Sequence, residues 1–300
     1  MKVDWRGIYP AATTQMKADG SLDLEANQKM VEQMIDDGVH GLVMLGSVGE
    51  NTSLSAEEKR RVIASTVEVV NGRVPVISGV AEYTTALAQE YARDVEKLGA
   101  DGLMALPAMV YKADQREVVA HIRATAEAAN LPVQIYNNPG VYGIDIKPDA
   151  LVELARSTKN VVAVKESSED PRRVTDIINI DPDALALMSG VDDVAMECMI
   201  LGCQGWVSGF ANVFPAESVA IYDHLQAGRI EKAREIYRWM MPALHMDVHP
   251  KLVQMIKLSE QVAGRGSETV RAPRLRLEGE EREYVVSTIE RLLANRPSID

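Results

Sequence analysis

Eight times between Gly7 and Ala227 a short apolar run is followed by a longer stretch with helical spacing. The runs fall at Gly7–Thr13, Gly41–Leu45, Val74–Ser78, Gly102–Leu106, Leu131–Tyr136, Val161–Lys165, Ala184–Ser189 and Gly205–Ser208. The helical stretches between and after them are Asp23–Asp37, Ser55–Val70, Thr84–Leu98, Asp114–Ala129, Pro148–Arg156, Pro171–Ile178, Asp192–Leu201 and Pro215–Ala227. Strict alternation of this kind calls for parallel strands joined by crossover helices. Eight units in about 225 residues suit an α/β fold closed as a (β/α)8 TIM barrel better than an open doubly wound sheet. After Gly228 the alternation stops. Ile230–Met241, Lys251–Val262 and Glu280–Leu293 read as three further helices, with Arg271-Ala272-Pro273-Arg274 as an extended connector. The expected organisation is a catalytic barrel over residues 1–228 and a helical extension over 229–300 packed on it.

Local signals agree with this register. Ser55 followed by Glu58 forms a capping box at a helix start, and the segment between Tyr136 and Pro148 reads as a Pro/Gly loop. In 300 residues, a hydrophobic share of 46% leaves enough apolar material for a large core. The net charge of −12 argues against nucleic acid or an anionic membrane as partner, yet leaves room for a small anionic substrate. Cys198 and Cys203 match no zinc or redox spacing and read as buried thiols in a reducing compartment. Met1 to Gly7 carries no apolar leader core and no run is long enough to span a bilayer, so a cytoplasmic location is expected. None of His40, His121, His224, His245 and His249 shares a helix with another at metal-ligand spacing, so no metal and no cofactor is expected.

In a barrel of this type the chemistry sits at the carboxyl ends of the strands. Val161-Val162-Ala163-Val164 is apolar throughout, as a strand buried on both faces should be, and it runs straight into Lys165. Alone, Lys165 would pass for a solvated residue in a turn. On a barrel rim it becomes a partly desolvated amine whose pKa falls, and a neutral amine attacks carbonyls to form a Schiff base. Tyr136 ends the preceding strand, about 4.8 Å away laterally, where a phenol can move protons for the imine. The loop Gly46-Ser47-Val48-Gly49-Glu50 follows the second strand. Its glycines allow a tight turn that aims the Ser47 and Val48 amides at an anion such as a carboxylate, and Ser47 can relay a proton to Tyr136. Gly190 and Asp192 follow the seventh strand, and Val207 and Ser208 end the eighth. With no Lys or Arg beside them, these loops are expected to recognise hydroxyls or a carboxylate, and Asp192 can equally cap the next helix.

The set Gly46-Ser47-x-Gly49-Glu50, Tyr136-Asn137-x-Pro139, Val164-Lys165-Glu166-Ser167, Ser189-Gly190 with Asp192, and Gly205-x-x-Ser208 resembles the dihydrodipicolinate synthase and N-acetylneuraminate lyase family over the whole chain. The resemblance implies a class I aldolase mechanism through Lys165, with Tyr136 and Ser47 moving protons. It also implies a homotetramer, with Tyr111 or Met109 near a subunit contact.

Several positions depart from the synthase pattern. Val48 replaces a hydroxyl residue, and Val141 stands where the synthases carry an arginine for a substrate carboxylate. The tyrosine that synthases borrow from a neighbouring subunit arrives about two places late, as Tyr111. With Asn138 and Val141-Tyr142-Gly143, the pattern is similar to a catabolic branch that deaminates 1-pyrroline-4-hydroxy-2-carboxylate. Substrate contacts are then expected from Val48, Gly49, Asn138, Val141, Gly190, Asp192, Val207 and Ser208. A 2-oxo-3-deoxy sugar acid or sialate aldolase, a dihydrodipicolinate synthase and a barrel that has lost its chemistry are the alternatives. Retention of both Lys165 and Tyr136 argues against the last.

Overall fold

The computed structural model describes residues 3–108 and 110–300. Eight parallel strands form the expected TIM barrel: β1 (Gly7–Pro10), β2 (Leu42–Met44), β3 (Val76–Val80), β4 (Gly102–Ala105), β5 (Val133–Asn137), β6 (Val161–Glu166), β7 (Ala186–Ser189) and β8 (Gly205–Ser208). Each strand from β2 to β8 pairs with the next, and β8 pairs with β1 from Gly7 opposite Gly205 to Pro10 opposite Ser208. The ring comes together between β1 and β2 at a parallel bridge from Ala11 to Val43, where Ala12 N–H donates to Val43 O at 2.9 Å. Side chains fill the barrel inside and helices cover it outside, so the strands are buried on both faces. This is why their sequences run apolar instead of alternating.

Around the barrel lie α1 (Leu24–Asp36), α2 (Ala56–Val70), α3 (Thr85–Lys97), α4 (Gln115–Glu127), α5 (Pro139–Tyr142), α6 (Pro148–Ser157), α7 (Arg172–Ile180), α8 (Ala195–Leu201) and α9 (Pro215–Gln226). Polar side chains cap the first four. Asp23, Ser55, Thr84 and Asp114 each accept from a first-turn amide, and Ser55 with Glu58 makes the reciprocal box. Three local expectations are corrected. β3 sits two residues later than Val74–Ser78, because Pro75 lacks an amide hydrogen and the ladder starts after it. The Pro/Gly loop after Tyr136 contains a one-turn helix, α5, with Asn138 as its side-chain cap and Pro139 at its first position. Asp192–Val194 is a 3-10 turn preceding α8, so Asp192 does not cap the helix that follows it.

Three helices extend the chain beyond the barrel: α10 (Ile230–Leu244), α11 (Leu252–Val262) and α12 (Gly279–Ala294). α10 packs on α9, and α12 packs on α10 and α11. Among the described residues no helix is long and apolar enough to cross a membrane.

α11 is tied to the barrel by buried polar groups. Lys257, fully buried, reaches Glu50 at 2.9 Å and Thr14 O at 2.8 Å. Removing either charge would strand the other in a dry interior. One turn on, the Glu260 carboxyl accepts from Thr13 Oγ1 at 2.9 Å and from Gln15 Nε2 at 3.2 Å. Burial pushes the Glu260 pKa up to about 7, ahead of the opposing hydrogen bonds and the Lys257 charge. The connector is held by Arg271, whose guanidinium grips both oxygens of Glu58 at 2.8 and 2.9 Å.

Glu260 makes stability depend on pH in a defined direction. Between the ordinary glutamate range and about pH 7 the folded protein keeps a proton that the unfolded chain has released. Stability from this group is therefore complete below that window and lost as pH rises through it. Relative to the native protein, Glu260→Gln should flatten the fall in melting temperature between pH 5 and 8, by an amount on the order of 3 kcal/mol in unfolding free energy. Parallel melting curves for the two proteins across that range would contradict this.

Candidate active site

The strand register places Lys165 directly opposite Tyr136 on the neighbouring strand. The Lys165 Nζ lies 4.3 Å from the Tyr136 ring centroid, and both side chains are buried at the barrel mouth. Space for the lysine stem depends on Gly190, at the end of β7. A methyl group there would stand 2.6 Å from Lys165 Cγ and 2.0 Å from Ser167 Oγ, so no side chain is tolerated. The amine opens on a cavity of about 390 Å³, a size suited to a small metabolite.

Burial lowers the pKa of Lys165, because an ammonium at this depth has lost most of its hydration. Asp247, Tyr142 and Asp192 oppose the shift through their negative charge or partial charge. Asp247 comes from the turn between α10 and α11 and lines the same cavity. It accepts the Asp192 N–H at 3.3 Å and approaches so closely that a methyl at Gly209 would stand 2.5 Å from its Oδ1. Its pKa is raised well above the usual carboxylate range by burial first and by Asp192 second.

Hydroxyl groups surround the Lys165–Tyr136 pair. Asn138 Nδ2 donates to the Tyr136 hydroxyl at 3.1 Å, and burial raises the pKa of that phenol. The Tyr142 ring meets Tyr136 edge-on, with centroids 5.7 Å apart at 88°. Its hydroxyl shares a short hydrogen bond with Ser47 Oγ. Ser47 is held by a strained loop, in which Leu45 adopts φ +57° and Glu50 φ +54°. Asn51 fixes this backbone by donating to Leu45 O at 2.8 Å and to Gly79 O at 3.3 Å. Residues in the left-handed region persist only where neighbours over-determine them, as here beside a functional cavity.

Of the residues expected to form the site, Lys165, Tyr136, Ser47, Val48, Asn138, Val141 and Gly190 line the cavity. Gly49, Asp192, Val207 and Ser208 do not. Gly49 packs inside its own loop, where its carbonyl accepts from Thr14 Oγ1 at 2.7 Å. Val207 is buried within β8. Asp192 is a clamp beneath the floor: its carboxylate accepts from Trp206 Nε1 at 2.9 Å, Ser208 Oγ at 3.2 Å, and the Gly209 and Phe210 amides at 3.2 and 2.7 Å. Burial nevertheless pushes its pKa up to about 6, with those donors and Lys165 pulling the other way. Ser208 completes the same clamp. Sequence reasoning missed Asp247, Glu169 and His249, which also line the cavity, and it gave Tyr142 no proton-transfer role. A signal for Tyr142 was available in its place three residues beyond Pro139. Asp247 lies in the turn between α10 and α11, far along the chain from the barrel strands, and offered none.

The Dihydrodipicolinate synthetase family matches residues 4–292. The chain belongs to this family. A 4-hydroxy-tetrahydrodipicolinate synthase of Syntrophus aciditrophicus (strain SB) is 32% identical over 282 residues, covering 93% of this chain and 95% of that one. Among solved structures, a dihydrodipicolinate synthase of Bacillus anthracis superposes with a TM-score of 0.92 at 30% identity, covering 96% of this chain and 98% of that chain. A prophage protein of Escherichia coli from the dihydrodipicolinic acid synthase family, solved in complex with pyruvate, gives 0.91 at 26% identity and covers 96% and 99% of the two chains. As a member of the family, this protein is a class I lyase working through a lysine Schiff base.

The charge layout has a kinetic consequence. Where Asp247 is ionised its charge favours the ammonium form of Lys165, so removing the carboxyl lets the neutral amine persist at lower pH. In Asp247→Asn the acid limb of the rate of borohydride-trapped pyruvate adduct formation should move to lower pH. An unmoved limb, or one displaced upward, would exclude this coupling.

Proposed function

We propose that Lys165 forms an imine with a small 2-oxo acid or cyclic imino acid, and that the enzyme is a deaminase and hydro-lyase acting on 1-pyrroline-4-hydroxy-2-carboxylate. The observation that carries this reading is the charge of the cavity wall. Among the described residues lining it, Lys165 is the only lysine and there is no arginine, whereas Asp247 and Glu169 present carboxyl groups. A second substrate bearing its own carboxylate finds no guanidinium there. A chain whose far end carries a hydroxyl and an amine finds acids.

In this scheme Lys165 attacks C2 of the ring, and the bond from C2 to the ring nitrogen breaks to leave a lysine imine on a chain with a 4-hydroxyl and a 5-amine. Removal of a C3 proton gives an enamine that expels the 4-hydroxyl as water, with Tyr136 supplying the proton. Loss of the C5 proton with protonation at C3 moves the double bond to C4–C5, protonation at C4 then leaves an imine at C5, and water hydrolyses that imine to release ammonia. A second water frees the keto acid from Lys165. The balance is one water consumed and one ammonia formed. Ser47 and Val48 hold the carboxylate on C2, Asn138 sets the Tyr136 hydroxyl, and Val141 and Gly190 shape the walls.

A dihydrodipicolinate synthase is the second reading, favoured by the name of the Syntrophus relative. We place the protein in the cytoplasm as a homotetramer without nucleic-acid or membrane partners. The exposed Val110 and Tyr111 beside the barrel mouth suit a subunit contact, and Met109 lies outside the described residues.

Incubation with 1-pyrroline-4-hydroxy-2-carboxylate should release ammonia, and borohydride should fix an adduct on Lys165 detectable by mass spectrometry. Condensation of pyruvate with aspartate semialdehyde, without ammonia release from the pyrroline, would overturn the deaminase in favour of the synthase. Lys165→Ala should abolish trapping, and Tyr136→Phe should cut turnover by about 100-fold or more.

A further inference from the structure

A class I lyase must move protons at the imine from a group that is itself reprotonated. The synthases that this chain resembles complete the path with a tyrosine from a neighbouring subunit, carried on the loop after the fourth strand. In this chain the tyrosine on that loop, Tyr111, stands about two places later than in the synthases. The structure assigns that place in the relay to Tyr142 of the same chain, whose hydroxyl meets Ser47 and whose ring meets Tyr136 edge-on, so that the proton path from Tyr136 through Ser47 to the barrel mouth lies within one subunit.

The local sequence builds this arrangement in few residues. Asn138 caps α5 by accepting the Val141 N–H at 2.9 Å, and Pro139 starts the helix with its ring-fixed φ. After a single turn Gly143, at φ +68°, ends the helix with its amide on Pro139 O at 2.9 Å. That turn brings Tyr142 back over Tyr136. The other end of the Asn138 amide donates to the Tyr136 hydroxyl, so one side chain orients both phenols. Ser47 meets Tyr142 from across the cavity mouth. Tyr136 is 5% exposed, whereas Tyr142 is only half-buried and hands the path to solvent.

The proton balance is simple. When the carbinolamine on Lys165 collapses, its hydroxyl takes a proton from Tyr136 and leaves as water. Tyr136 recovers a proton from the Ser47–Tyr142 pair, which recovers its own from solvent. Tyr142 touches the hydroxyl groups of the relay and not the substrate carbon, so it is a positioning and relay residue. Asn138 alone could not fill this role, because its amide donates to Tyr136 without a readily released proton.

Pyruvate is a sufficient probe, since this inference needs only the lysine-imine chemistry and not the pyrroline substrate. Exchange of its methyl protons in deuterium oxide, followed by NMR, reads proton transfer, while borohydride trapping on Lys165 reads imine formation at equilibrium. Tyr142→Phe keeps the ring and should slow exchange about 100-fold and alter its pH profile, with the end-point adduct still trapped. Ser47→Ala should slow it similarly, and the double variant should be no slower than either alone, as for groups in one chain of transfers. Tyr111→Phe should exchange as the native protein does. Native-like exchange in Tyr142→Phe, or a collapse in Tyr111→Phe, would overturn the assignment while leaving the imine and the proposed substrate untouched. Absence of any pyruvate adduct on the native protein would overturn both. Should Tyr142→Phe lose its fold by circular dichroism, Ser47→Ala and Tyr111→Phe still decide.

Discussion

Keeping an amine nearly dry at the rim of a barrel is the constraint on which this structure turns. Lys165 is 6% exposed, and an ammonium there has lost solvation that only neighbouring charges can replace. Asp247 and Asp192 oppose its deprotonation, yet among the described residues no carboxylate forms an ion pair with the amine, which lies over the face of Tyr136. The lysine is thus tuned between two failures. A direct ion pair would lock it as a cation with no lone pair for attack, and an apolar pocket would leave nothing to stabilise the iminium after it forms.

That tuning gives the helical extension a chemical role. Asp247 and His249 belong to the turn between α10 and α11, so the barrel alone would lack one wall of its own cavity. The extension is in turn fixed by Lys257 on Glu50, within the same loop that presents Ser47 and Val48. One buried ion pair therefore sets the spacing between the wall that balances charge and the loop that faces it. A buried pair adds little net stability, but it specifies one arrangement where an apolar contact would permit sliding.

The fold was legible because its signal is repeated and local. Eight apolar runs announced the barrel, and Ser55 with Glu58 marked a helix start to the residue. Lys165 and Tyr136 were legible because parity and strand order put them opposite one another once the strands were counted. What the sequence withheld were contacts between distant segments. Asp247 faces Lys165 only because the turn between α10 and α11 folds back over the mouth. Asp192 looked like a ligand residue or a helix cap and is instead a clamp on the Gly209 and Phe210 amides, 17 and 18 residues further on. Periodicity reports which face of an element is buried and says nothing of which loop will close over it.

The same distinction bears on how one barrel serves different substrates. The imine chemistry resides on strand ends, where the ladder fixes position to within a fraction of a residue. Other groups lining the cavity come from α5, the Ser47 loop and the α10–α11 turn, which can be exchanged without altering the ladder. A substitution at position 141 costs the barrel nothing, because Val141 is 57% exposed on the rim. A change at Gly190 is different in kind, since any side chain would collide with the Lys165 stem. Substrate range can therefore drift through the rim while the lysine, its facing tyrosine and the glycine that makes room for it remain bound together by packing.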